Sequence, residues 1–310
     1  MPNNIETIKN YGASRLDEIF VAEAKSAVLE AAPELLKFIN AKTVLLPDIT
    51  MSGLGDYSRT TGFPTGAVTV AWTPYTLDMD RGQSFLVDAM DDEETAGVAF
   101  GELSTEFLRT KVIPEVDAYR FSTLLANADE ANIKESYTPT KESVVSDLLA
   151  EDQEMFDNEI NSGDYVRFVS AKTNTAIMQS KEINKIITQV DLNSPRGIAF
   201  KLQAFNETPL IPVPKARFKT NYVFSKTDGF TAAGGAGDIH WLTVHKNAAL
   251  PVMKHEAIRV FSPEVNQDAD GWKFQYRIYH DIFTPKNKQK GISAAISITK
   301  SAYKEILKAE

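Results

Sequence analysis

Four histidines, His240, His245, His255 and His280, are the side chains of this sequence best suited to ligate a metal or move a proton near neutral pH. Their spacing argues against a shared site. His240 and His245 differ by an odd number of positions, so on one strand they face opposite sides, and no His-Glu-x-x-His pattern occurs. His280-Asp281 invites a triad with a serine, yet there is no Gly-x-Ser-x-Gly elbow, and adjacent strand residues cannot both serve one third group. Gly234-Gly235-Ala236-Gly237-Asp238 lacks both the Gly-Lys-Ser/Thr ending and the third dinucleotide glycine, and a strand follows it, so it reads as a surface loop. Asp268-x-Asp270-Gly271 lacks the other oxygen ligands of a calcium loop and reads as a polar turn. Paired carboxylates are common, but none has an apolar setting in the sequence that would raise a pKa. With no cysteine, thiolate catalysis, Cys-ligated zinc and disulfides are excluded. The residues therefore assign no catalytic group, no cofactor and no metal, and the expectation is a protein that is not an enzyme.

What must be explained instead is the organisation of the chain. Its 310 residues are 43% hydrophobic and 24% charged, the mix of a soluble globular protein with room for a sizeable core. The net charge of -9 disfavours a nucleic-acid binder that works by neutralising phosphates. Residues 1–155 carry 12 basic and 27 acidic side chains, whereas 156–310 carry 21 and 15. Two readings of that split stand: solvated helix faces, or an acidic half of one copy meeting a basic half of the next. No basic-then-apolar leader and no apolar run of ten residues occur, so secretion and a membrane span are not expected.

The elements follow from periodicity. Residues 1–42 read as an acidic, partly helical arm, with Leu16, Ile19, Phe20, Ala24, Ala27, Val28 and Ala31 on one stripe and Pro33 ending the pattern. Residues 43–88 read as an extended hairpin: Thr43 to Leu46 and Ala67 to Thr73 flank MSGLGDYSRTTGFPTG, which has four glycines and a proline in 16 residues. A lone hairpin is marginally stable in water, so Leu54, Asp56, Tyr57, Arg59, Phe63 and Trp72 are expected to contact another protein chain. Residues 91–127 form a long amphipathic helix, about 50 Å at 1.5 Å per residue, kinked at Pro114. A helix at 143–158, a strand at 164–169, a short helix or turn at 174–180 and strands at 198–202 and 210–213 make a compact α+β region. Strands at 239–244, 258–261 and 272–283 close the chain, and the unequal faces of the aromatics at 272, 274, 276 and 283 predict a bulge in the last. The arm and hairpin, 1–88, are expected to form no core within their own subunit.

Three stretches carry a family resemblance: VIPEVDAYRFSTLLA at 112–126, ETPLIPVPKARF at 207–218, and VHKNAALPVMKHEAIRVFSPEVNQDADGWKFQYRIYHDIF at 244–283. Together with the order of parts they resemble Hong Kong 97-like major capsid proteins from phages and prophages of Gram-positive bacteria. The resemblance implies an α+β fold with an N-terminal arm at 1–42, an extended loop at 43–88, a peripheral domain at 89–135 and 256–310, and an axial domain at 136–255. It further implies self-assembly through pentamers and hexamers into an icosahedral shell around double-stranded DNA, in a virion assembled in the host bacterial cytoplasm. Implied partners are other copies of the chain, a separate scaffolding protein, a portal protein and a decoration protein, with DNA touched only indirectly and no membrane. The founding member locks its shell through a lysine of the extended loop; no lysine lies between Lys42 and Lys111, so a non-covalent shell is expected. The alternatives are an encapsulin-like or gene-transfer particle and, from another class, a cytosolic α/β enzyme.

Overall fold

The protein is described by a computed structural model covering residues 24–30, 37–40, 42–88, 105–160, 164–180, 187–193, 199–206, 208–225 and 229–308. The expectations for most of the arm and for the first turns of the long helix lie outside the described residues.

A one-turn 3-10 segment, Lys25–Leu29, is followed by β1 (Lys37–Phe38), β2 (Thr43–Met51), β3 (Val68–Thr76) and β4 (Met79–Asp88). β2 and β3 pair antiparallel without interruption from Thr43 opposite Thr76 to Met51 opposite Val68, which is the expected hairpin, with β1 on its edge. Helix α1 (Ile113–Ala126) continues from a π-helical turn at Leu108–Val112. Pro114 has no N–H and its ring crowds the preceding turn. The wider turn, in which Ile113 N–H bonds the Leu108 carbonyl, is where the helix accommodates it.

Next come β5 (Ile133–Lys134), α2 (Val144–Asp157), β6 (Tyr165–Ser170), α3 (Ala171–Gln179), β7 (Ile187–Asn193), β8 (Ala199–Phe205) and β9 (Thr208–Val213). A small pair, β10 (Tyr222–Phe224) and β11 (Phe230–Ala232), precedes β12 (Ile239–His245), β13 (Leu250–Phe261), β14 (Gly271–Phe283), β15 (Ile292–Ile296) and α4 (Lys300–Lys308). The short helix starts at Ala171, earlier than the expected 174, because Ser170 caps it: its Oγ accepts the Thr173 N–H at 3.2 Å.

A mixed seven-stranded sheet has the order β5-β15-β12-β6-β9-β8-β7, and a three-stranded antiparallel sheet the order β13-β14-β4. β6 and β15 are buried along their whole length, and the polar side chain in the middle of β6, Arg167, is kept there by hydrogen bonds to Asp152 and Thr243. On one face of the large sheet, Val144, Val145 and Leu148 of α2 and Ala176 and Ile177 of α3 pack on Phe205 and Trp241. Against the other, Phe121, Leu124 and Leu125 of α1 pack on Phe168, Leu242 and Ile292. Further toward its N-terminus the same helix meets the small sheet, where Leu108, Val112, Ile113 and Val116 cluster with Phe274, Tyr276 and Ile278. α1 is thus the spine shared by both sheets.

Several expectations need correction. β14 runs in unbroken register with β4 from Gly271 opposite Asp88 to His280 opposite Met79, and the irregularity lies in β13, between Met253 and His255. The aromatics of β14 occupy both faces because the faces are covered over different stretches: Phe274 and Tyr276 meet α1, while Tyr279 and Phe283, further along on the other face, meet the foot of the hairpin. Residues 1–88 do contribute core. Ala24 and Ala27 join the cluster under Leu108 and Val112, Leu29 joins Phe121, and Val44, Leu46 and Leu77 pack with Val252, Tyr279 and Phe283. β13 runs through residues 255 and 256, and residues 292–296 hydrogen-bond into the seven-stranded sheet; neither observation tests the division into peripheral and axial domains.

Candidate self-association surface

Residues opposite one another in an antiparallel pair share a face, so register decides what the hairpin shows to solvent. Met51 lies opposite Val68, and Val70 and Trp72 continue the same face at every second position. These four are 72%, 66%, 52% and 48% exposed. The other face is the anchored one: Val44 and Leu46 are buried at its foot, and the Tyr75 and Phe283 rings meet with centroids 5.2 Å apart. An apolar stripe that faces away from the subunit's own anchor cannot be covered by that anchor, and such stripes mark contact sites.

The tip is held in shape by its own hydrogen bonds. Ser52 N–H donates to the Ala67 carbonyl at 3.0 Å, and Ala67 N–H returns to Ser52 Oγ at 2.9 Å. Ser58 and Gly62 exchange two backbone hydrogen bonds of 3.2 and 2.8 Å, closed by Gly62 at a φ of 80° that favours glycine. The Tyr57 and Phe63 rings meet beside this turn, tilted by 57° with centroids 5.0 Å apart, and Leu54, Tyr57 and Phe63 are exposed with Asp56 and Arg59 around them. Leu54, Asp56, Tyr57, Arg59 and Phe63 therefore gather on the tip, whereas Trp72 belongs to the stripe. Met51, Val68 and Val70 were missed by sequence reasoning, although the alternation of 68, 70 and 72 was its available signal.

A set of polar contacts fixes where the hairpin leaves the body. Tyr279 Oη donates to the Leu77 carbonyl at 2.9 Å, Asp281 accepts the Asp78 N–H at 3.0 Å and the Tyr119 hydroxyl at 2.7 Å, and Arg277 grips Asp80 with two hydrogen bonds of 2.8 and 2.5 Å. Asp281 is consequently a bracket between the hairpin's exit and α1. Its carboxyl pKa is raised by burial, against the hydrogen bonds it accepts. Glu151 is also pushed up by burial although Arg167 lies beside it, with Arg167 bonded to Asp152 at 2.6 Å and to Thr243 at 2.9 Å. The expectation that no carboxylate is raised by an apolar setting is overturned at these two positions, where long-range packing supplies the setting.

His240, His245 and His280 sit in separate surroundings. His280 is buried, edge-on to the Tyr119 ring at 5.5 Å, and burial, then Arg120 and Arg81, push its pKa down to about 3. His240 is buried and likewise lowered, chiefly by burial, while His245 Nδ1 accepts the Asn247 N–H at 3.2 Å. Among the described residues no group of three His, Cys, Asp or Glu side chains is arranged to hold a metal, and no described helix is long and apolar enough to cross a membrane.

Neither protein-family models nor curated protein sequences match this chain. Solved structures do. The mature capsid of bacteriophage PhiM1 superposes with a TM-score of 0.58 at 11% identity, over 84% of this chain and 83% of that one. The capsid of the cyanophage P-SCSP1u gives 0.55 at 11% over 84% of each chain. An encapsulin, SrpI of Synechococcus elongatus, gives 0.51 at 9% over 86% of each chain. The fold is therefore one shared by shell proteins. It is the fold seen in phage capsids, and in this chain it carries a long hairpin and a helix packed on two sheets.

Proposed function

We propose that this chain is a phage or prophage major capsid protein of the Hong Kong 97-like, Gram-positive type. It assembles through pentamers and hexamers into an icosahedral shell that encloses double-stranded DNA in the virion, after assembly in the bacterial cytoplasm. Its role is structural and not enzymatic. The observation that carries this reading is the hairpin on a shell fold: anchored on one face and apolar but exposed on the other, it is suited to lie over a neighbouring subunit. Each such contact is modest, but a subunit in a closed lattice must break several at once to leave. Scaffolding, portal and decoration proteins are its proposed partners. The net charge of -9 fits a wall that packed DNA slides past.

Deleting residues 52–66 and joining the strands with a two-residue turn tests this. The expected product is a folded subunit with an unchanged urea midpoint that forms no shells, whereas normal particles from the deletion would refute the reading. With no lysine between Lys42 and Lys111, the shell is held without isopeptide links through the hairpin, and particles should run as single subunits on denaturing gels. Covalent ladders would contradict that. The match to SrpI favours a second reading, an encapsulin-like compartment; nuclease-protected DNA in particles from the native source supports the virion, and protein cargo without DNA supports the compartment.

A further inference from the structure

Helix α2 ends in charges of the wrong sign for its own dipole. Glu154 and Asp157 lie in its last turn and Glu159 just beyond, all exposed, with no basic residue in that turn. Carboxylates there oppose the negative end of the helix dipole. Glu159 also takes a φ of 64°, a left-handed conformation that glycine or asparagine usually fills. Beside these acids the Phe156 ring is 70% exposed, and Leu149, two turns earlier on the same side, is 40% exposed.

The opposite end shows the reverse. Lys141, just before α2, and Lys172, in the first turn of α3, line a shallow groove of about 480 Å³ with Pro139, Ala171, Thr175 and Ala176. The cation in the first turn of α3 is again of the unfavourable sign, with no acid beside it in that turn, whereas α2 carries Asp147 in its first turn. The exposed Lys141–Glu142 pair at 3.6 Å does little to offset this. The two ends stand about 21 Å apart, at 1.5 Å per residue over 14 residues.

Resting on the proposed self-assembly, we propose that the C-terminal end of α2 in one subunit docks into the groove at the N-terminal ends of α2 and α3 in the next copy. Phe156 meets the apolar floor formed by Pro139, Ala171 and Ala176, and the acids at 154, 157 and 159 face Lys141 and Lys172. Charges that are misplaced within one subunit become complementary between two, and the helix dipoles run head to tail. A two-fold contact of acidic end on acidic end would instead set like charges together. Repeated by rotation, the head-to-tail contact closes a ring.

The test is a charge swap in the full chain: Glu154→Lys with Asp157→Lys, Lys141→Glu with Lys172→Glu, and all four together. Each double variant gives its helix ends the favoured sign, so the isolated subunits should melt no lower than the parent. Particle yield, by size-exclusion chromatography and negative-stain microscopy, should nevertheless fall on the order of tenfold in each double variant, as like charges at an interface predict, and recover in the fourfold variant. Parent-like yields from both double variants, or no recovery on combining them, would overturn the contact while leaving the shell assignment intact. A parent chain that forms no particles would defeat the assignment and this contact with it.

Discussion

Replacing Asp117 with alanine should release the N-terminal segment from the subunit. Asp117 is fully buried on α1 and accepts four hydrogen bonds: the Lys25 N–H at 3.1 Å, the Ser26 N–H at 3.0 Å, the Ser26 hydroxyl at 2.7 Å and an Arg217 guanidinium N–H at 3.1 Å. One helical turn along, buried Arg120 donates to Ser26 Oγ at 3.1 Å and lies 3.8 Å from Glu30. Removing one partner of a buried charge pair costs about 3–5 kcal/mol. Arg217 is 19% exposed and can turn toward water, which puts the expected loss near the lower bound, about 3 kcal/mol. That loss falls on the local unlocking of residues 24–30, so trypsin cleavage after Lys25 under native conditions should quicken about a hundredfold, following the open population. Asp117→Asn keeps an acceptor and should quicken it less. A cleavage rate and urea midpoint unchanged by Asp117→Ala would refute the claim that this carboxylate holds the segment.

Lysine substitutions at Val68 and Val70 should leave the unfolding free energy of the isolated subunit within about 0.5 kcal/mol of the parent, as exposed changes do, and abolish particles. A large loss of subunit stability would show that the stripe is covered by its own chain. His280 has its folded pKa lowered to about 3, below its ordinary value of 6.5, so its contribution is complete above pH 6.5 and is lost as pH falls toward 3. The full loss is at most about 5 kcal/mol. Asp281 and Glu151, raised by burial, act in the opposite sense, favouring the fold at low pH and losing that contribution as pH rises through their raised values. The effect of His280 is therefore isolated by difference: His280→Phe should flatten the acid limb of urea midpoints measured from pH 7 to pH 4, and an unchanged slope would count against it. Raising salt from about 0.15 M to about 1 M shortens the screening length from about 8 Å to about 3 Å and should loosen particles if opposite charges join the copies. Salt-independent sedimentation would exclude that contribution.

The hairpin was legible in the sequence because two local signals agree there: alternation through Val68, Val70 and Trp72, and a glycine-rich tip too long for a simple turn. α1 and β14 were legible for the same reason, through long and regular periodicity. What sequence could not carry was anything set by pairing across the chain. The Asp117–Ser26 clamp joins residues 91 positions apart, so 24–30 read as arm and not as core. β15, to which sequence reasoning assigned no element, finds its place in the large sheet only through its pairing with β12. The raised carboxyl pKa values of Glu151 and Asp281 depend on burial created by distant strands. Of the association surface, the tip residues and Trp72 could be named from apolar types on a hairpin and the alternation of 68, 70 and 72 was available, but the place of Met51 on the same face required the register that pairs it with Val68.

Purifying the full chain and imaging it by electron cryo-microscopy tests the central claim most directly. The expected result is closed shells in which Met51, Val68, Val70 and Trp72 of each hairpin are buried against a neighbouring copy. A homogeneous monomer, or an assembly in which that stripe stays in solvent, would contradict the assignment of this chain as a capsid subunit.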